Sequence, residues 1–279
     1  MPDPGPAPVY AGVDGSASTM PAVELAADEA AGRGVDLVLV QAVAGPVRHP
    51  AALAQAEAVV RARHPGLAVT SRCVPGDPAT VLVRESQDGC LLVVGHRGHC
   101  ASRSGTGSVA ESVVARATVA VVVHRPLSDV AGLRPVLVGL APHRVDDALL
   151  EFAFATASRR GAPLYALTVW TDFATLAAGQ DTRTVAGDAE VPADAIRRWS
   201  DRYPEVTVQA VGRHGLDATI ALVAASHLAQ LAVIGAGSGG CAVRTGSTAH
   251  TLVHRCACPV AVVRAVCPQE TVEAAAVMA

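Results

Sequence analysis

Two spacings of apolar residues alternate along this chain. Short continuous apolar runs, at residues 9–13, 35–43, 91–94 and 119–123, are separated by stretches where apolar positions recur every three or four residues. Continuous runs mark strands buried on both faces. The three-and-four spacing marks helices that pack through one side. The spacing predicts a first strand over 9–14, ending on the carboxylate of Asp14. A helix follows from the turn containing Gly15, Ser16, Ser18 and Pro21 and stops at Gly32 or Gly34. A second strand spans 35–43, a helix 51–63, and a third strand 67–74. Asp77 and Pro78 open the next helix as N-cap and first helical residue, and it should end near Asp88 and Gly89. A fourth strand begins at Leu91, a helix at Ser108, and a fifth strand covers 119–124. Such strict βα alternation predicts a parallel sheet covered by helices on both faces.

Residues 125–134 read as a linker by composition, and beyond them the pattern starts again. Residues 136–140 match 9–13, residues 164–169 match the second strand, and His214 to Ile220 match Pro75 to Val81. Residues 231–235 match the fourth strand, Gly246-Ser247 match Gly107-Ser108, and 260–264 match the fifth strand. A repeat of this kind predicts two domains, 1–127 and 133–267, with a linker at 128–132 and a tail at 268–279. Residues 171–191 are an insertion in the second copy. The copies differ where chemistry is expected: Ala141 stands where the first copy has Asp14, and Ser238 where it has Gly98.

The chemistry concentrates in residues 91–109, LLVVGHRGHCASRSGTGSV. An apolar strand ending in Val94 runs straight into Gly95, His96 and Gly98. A polar segment then leads to Gly107, Ser108 and the helical pattern beginning at Val109. Free N–H groups at a helix start favour an anion, and glycines let backbone approach phosphate oxygens. Ser108 can cap the helix or donate to a phosphate. On its own the stretch reads either as an anion cradle or as an ordinary βα connection.

Composition removes several alternatives. The chain has no Lys, so all 22 basic residues are Arg; a P-loop lysine and a Schiff-base lysine are both excluded. It has no Asn, hence no N-glycosylation site. A net charge of −3 without a basic block argues against nucleic acid as partner. With 51% hydrophobic but only 3% aromatic residues, the core must be built from Ala, Val and Leu. Seven scattered Cys in a chain this long fit reduced thiols. The Pro-rich start lacks a signal-peptide pattern and no apolar run can span a bilayer. The expectation is a cytoplasmic protein with no membrane partner.

Three rival readings use the same residues. Residues 234–240, IGAGSGG, contain the G-x-G-x-x-G spacing of dinucleotide sites, but by the repeat they follow a fourth strand, and residues 241–245 separate them from the next helix. His96, His99 and Cys100 cluster, as do His254, Cys256 and Cys258; neither set has a paired metal-ligand frame, the two fall at non-equivalent places, and no metal ligands are assigned. Asp14, His96 and Ser108 invite a hydrolase triad, but no G-x-S-x-G elbow exists. Asp14 can also simply form the turn before Gly15.

GVDGS at 12–16, with GHRG at 95–98 and Gly107-Ser108, resembles the universal stress protein family, and the whole chain resembles a tandem of two such domains. The family loop is G-x2-G-x9-G-[S/T]; here the second gap holds eight residues in the first copy and seven in the second. The resemblance implies, for each copy, a doubly wound, Rossmann-like five-stranded parallel sheet in the order 3-2-1-4-5. It implies a nucleotide where strands 1 and 4 part, as the general rule for open α/β sheets also holds. Asp14, with Gly15 and Ser16, would meet the adenosine end, and the backbone near Ala42 the adenine. Val94, Gly95, His96, Gly98, Gly107, Ser108 and Val109 would line ribose and phosphates. The ligand implied is ATP, with or without magnesium, held mainly by the first domain of a stress-response regulator. The two domains should form an intramolecular pseudo-dimer whose last strands meet; a homodimer of whole chains stays open. Other readings are a ligand-free interaction scaffold and a slow ATPase. Against fast turnover, the chain offers no lysine for the γ-phosphate, and no Gln, Glu or Asp lies between Gly95 and Gly107.

Overall fold

Among the described residues, ten strands form one sheet in the order β3-β2-β1-β4-β5-β10-β9-β6-β7-β8. The computed structural model describes residues 6–16, 18–43, 51–96, 109–127, 134–142, 146–170, 192–214, 217–237 and 247–264. The linker, the 171–191 insertion and the tail expected from the sequence lie outside them. The first unit contains β1 (Val9–Gly12), α1 (Thr19–Arg33), β2 (Leu37–Val43), α2 (Ala51–Arg63), β3 (Val69–Pro75), α3 (Pro78–Glu85), β4 (Leu91–Gly95), α4 (Val109–Arg116) and β5 (Ala120–His124). The second contains β6 (Val136–Leu140), α5 (Asp147–Arg159), β7 (Leu164–Trp170), α6 (Ala193–Arg202), β8 (Val208–His214), α7 (Ala218–Ser226), β9 (Leu231–Gly235), α8 (Ser247–Arg255) and β10 (Val260–Val263). Each unit is parallel within itself and has the order 3-2-1-4-5.

Local chemistry explains the element ends, including those that differ from the pattern. α1 stops at Gly34, whose φ of 67° is left-handed, and the Val35 N–H is spent on the Ala30 carbonyl at 3.1 Å. That helix stop consumes Val35, so β2 starts at Leu37 rather than at 35. Asp77 caps α3 by accepting from the Thr80 N–H at 2.9 Å, with Pro78 at the first helical position. α3 then ends at Glu85, short of the expected Asp88, and a turn through Ser86 closes it.

The units join edge to edge. β5 and β10 pair antiparallel, with Val122 opposite Ala261 at the centre of the pairing. Their otherwise open apolar edges are thereby covered, which is the usual reason for such a join. Two arginines repeat the symmetry across it. Arg125 donates to the Val253 carbonyl at 2.9 Å, and Arg264 to the Val114 carbonyl at 2.6 Å. Each guanidinium thus serves carbonyls near the C-terminal end of the other unit's helix, α8 or α4. The apolar core lies in two layers, one on each face of the sheet, and each layer runs through both units.

The contact between α1 and α5 is ionic. Glu29 is only 5% exposed and meets Arg160 at 2.6 Å and Arg159 at 3.6 Å from the other unit, and Arg33 at 3.1 Å from its own helix. Burial would raise the Glu29 carboxyl, but the guanidinium groups of Arg160, Arg33 and Arg159 outweigh it and hold the group below the ordinary carboxylate range.

Candidate functional site

β1 sits between β2 and β4 with all three parallel, so the chain leaves β1 to one side and returns to the other. The C-terminal ends of β1 and β4 therefore flank the crevice at which open α/β sheets bind ligands. On the β1 side the ladder ends with Val13, whose N–H donates to the Val40 carbonyl at 2.8 Å. β1 is shorter than the 9–14 expected, because the Asp14 carboxylate turns the chain. It accepts from the Ser16 N–H at 2.9 Å and from the Thr19 hydroxyl, and Gly15 between them has a φ of 76°. Ser16 Oγ lies 3.2 Å from Ser18 Oγ and 3.3 Å from Thr19 Oγ1. The result is an exposed carboxylate set in a hydroxyl-lined turn at the start of α1.

β4 meets that turn directly. A Cβ on Gly95 would lie 2.7 Å from Ser18 Oγ and 3.1 Å from the Ser18 carbonyl oxygen. Only glycine lets the end of β4 come this near the start of α1. The two motifs, some eighty residues apart, thus adjoin. Val94 is buried beneath them, Ala42 is half-buried near the end of β2, and Val109 opens α4. His96 follows Gly95, its backbone N–H donating to the His124 carbonyl at 3.1 Å. Gly98, Gly107 and Ser108 lie outside the described residues, as do Arg97, His99, Cys100 and Arg103. The hydrolase reading, which needs Ser108, lies there too.

His124 is a neighbour that the pattern did not single out. It pairs with Gly95 across the β4–β5 ladder. Burial, helped by the proximity of His96, pushes its imidazole down to about 4, and its Nδ1 is buried without a hydrogen bond. The unfolded chain takes up a proton near 6.5 and the folded chain only near 4, so acid favours unfolding across that window. Because the ring is partly exposed, the expected loss is about 1–2 kcal/mol as pH falls from 7 to 4.5. Urea unfolding at both pH values should show this loss reduced in His124→Gln; an identical pH dependence in the variant would rule the assignment out.

The equivalent place in the second unit is built differently. Ala141 follows β6 where Asp14 follows β1. Asp146 is the N-cap of α5, accepting from the Leu149 N–H at 3.1 Å. A Cβ on Gly235 would lie 3.6 Å from Asp146 Oδ2. The second unit thus sets a carboxylate against the end of its fourth strand, where the first unit has the Ser18 hydroxyl. That carboxylate caps the N-terminus of α5, the counterpart of α1, and sets negative charge beside the end of β9. Residues 238–246, including the rest of the IGAGSGG stretch, lie outside the described residues. The next helix among the described residues, α8, begins at Ser247.

The His254, Cys256 and Cys258 cluster separates in the structure. Cys256 and Cys258 are buried thiols that burial pushes up to about 11 and about 12, whereas His254 is turned to the surface of α8. Among the described residues, a different trio converges: Glu111, His250 and His254. The His250–His254 spacing is local, but Glu111 comes from the other unit, so no short-range spacing could have flagged the full trio. Also among the described residues, no helix is long and apolar enough to cross a membrane.

Comparison with known proteins bears on the family and the fold. The model of the universal stress protein family matches residues 8–125 and again 132–264. A universal stress protein of Mycobacterium tuberculosis, Rv2005c, is 35% identical over 209 residues, covering 71% of this chain and 70% of its own length. A second from that organism, Rv1996, is 30% identical over 300 aligned positions, covering 92% of this chain and 94% of its own. Among solved structures, a universal stress protein of Archaeoglobus fulgidus superposes with a TM-score of 0.61 at 18% identity, covering 92% of this chain and 96% of that one. The chain therefore belongs to the universal stress protein family, with two copies of the family's domain in tandem.

Proposed function

We propose that the first unit binds an adenine nucleotide, ATP, in the crevice between the ends of β1 and β4, and that the protein acts as a nucleotide-responsive regulator rather than as an enzyme of steady turnover. One observation supports this reading above the others: the Asp14 turn and Gly95 adjoin at the switch point, at a distance only glycine permits. Asp14 offers a carboxylate to a ribose or adenine donor. The Ser16 and Ser18 hydroxyls and the loop from Gly95, through Gly98 and Gly107 to Ser108, face the rest of the nucleotide. Magnesium, where present, would accompany the phosphates. The second unit is the weaker or silent site, because Ala141 supplies no carboxylate for adenosine while Asp146 sets one near Gly235, where phosphate would lie.

A regulator needs only that the nucleotide stabilises or reshapes the chain. At ligand a hundred-fold above Kd, binding adds about 2.7 kcal/mol, which for a chain of this length is a melting shift of roughly 4–8 °C. The test pairs a thermal scan with and without ATP with phosphate release followed for an hour. A shift with little release is the expected result. No shift at saturating ATP would favour the ligand-free scaffold, and several turnovers per minute lost in His96→Ala would favour an ATPase.

A further inference from the structure

Glu111 lies in the first turn of α4 in the first unit, and His250 and His254 lie four residues apart on α8 in the second. By the repeat that matches Gly107-Ser108 to Gly246-Ser247, Glu111 and His250 are equivalent positions, so the two helices bring like points together across the join. The rings of His250 and His254 are 4.8 Å apart between centroids and tilted at 54° to one another. His254 Nε2 is 2.5 Å from one Glu111 oxygen, and His250 Nε2 is 3.9 Å from the other. One ligand atom from each of the three residues lies within 4.8 Å of the others.

We propose that Glu111, His250 and His254 form a site for one divalent transition-metal ion of the zinc type, which ties the two units together through α4 and α8. Two imidazole nitrogens and a carboxylate are a donor set that zinc and its neighbours take readily. Metal–ligand bonds of about 2.0–2.2 Å in tetrahedral array place donors about 3.3 Å apart. The present separations of 2.5 and 3.9 Å, each to a different Glu111 oxygen, lie on either side of that value, so rotation of the carboxylate and the two rings is enough to set one oxygen and both nitrogens around an ion. Histidines four apart on one helix chelate without backbone change, since both side chains leave the same face. Glu111 is the least exposed of the three at 22%, while His250 and His254 are 57% and 43% exposed. An ion can therefore enter from solvent and keep water at its fourth position. The alternative is that these residues form only the direct Glu111–His254 contact, with no metal.

The test titrates Co2+, and then Zn2+, into the full reduced chain, reading visible absorbance and calorimetry. The expected result is one Co2+ per chain with nitrogen–oxygen rather than thiolate bands. Affinity should fall at least ten-fold in His250→Ala and in His254→Ala, and by less in Glu111→Gln. Zn2+ should raise the melting temperature of the parent chain and not that of the double variant His250→Ala/His254→Ala. Melting of the metal-free variants near the parent temperature shows that they fold. If a variant fails to fold, zinc protection of the His250 and His254 imidazoles from diethyl pyrocarbonate in the parent chain supplies the same answer. Absence of saturable binding, binding unchanged in the double variant, or thiolate bands at full stoichiometry would each overturn the site.

Discussion

Glu29→Gln should lower the unfolding free energy by roughly 3–5 kcal/mol, the usual cost of removing one partner from a buried ion pair. The carboxylate is 5% exposed, and the side chains of Arg33, Arg159 and Arg160 around it are 17%, 22% and 20% exposed. Without the carboxylate, three guanidinium groups face one another with little water to screen them. Arg159 already feels this: its burial, and Arg33 beside it, lower its proton affinity. Two of the arginines belong to the other unit, so the loss should appear as a weaker join between α1 and α5 as well as a lower midpoint in urea. The carboxyl is held below its ordinary value, so its contribution is present above about pH 4.5 and disappears as pH falls through the lower, folded value. By contrast Asp28 and Arg63, bonded at 2.6 Å but 41% and 48% exposed, should contribute well under 1 kcal/mol. A Glu29→Gln chain within 1 kcal/mol of the parent would show that water screens the cluster far better than its burial implies.

ATP should bind Asp14→Ala roughly ten- to a hundred-fold more weakly than the parent chain, the equivalent of about 1.5–3 kcal/mol for a charge-assisted hydrogen bond. Part of that loss is structural, because the same carboxylate holds the Ser16 N–H and the Thr19 hydroxyl and so shapes the turn. Asp14→Asn separates the two contributions. Its side-chain oxygen can still accept from Ser16 while the charge is gone, so affinity should fall by less than in Asp14→Ala. Calorimetry should also show one site per chain, and Ala141→Asp should not restore a second site of equal strength, because Asp146 remains beside Gly235. An Asp14→Ala chain with affinity within three-fold of the parent, or two equivalent sites in the parent, would sink the reading.

The sequence by itself determined the elements of the first unit, the repeat, and the Asp14 turn and the strand that ends at Gly95. Those features are written in short-range terms. A period of 3.6 or continuous burial decides helix or strand, Asp77 and Gly34 act within one turn of their helices, and Asp14 bends the chain over the next few residues. Such interactions are readable because both partners lie close in the chain. The order 3-2-1-4-5 entered only through the family resemblance, since alternation specifies a parallel sheet but not which strands are neighbours. Tertiary structure decided the rest: the antiparallel β5–β10 join that makes one sheet of two, the burial of Glu29 among arginines from both units, the Asp146 carboxylate set against Gly235, and the meeting of Glu111 with His250 and His254. Each of these depends on which face of one element meets which face of another, in most cases across more than a hundred residues. No local spacing encodes that meeting, because an exposed Glu on a helix face and one that will be buried by a second domain look the same in sequence. Packing of complementary apolar layers sets the alignment, and the charged groups then find their partners within it.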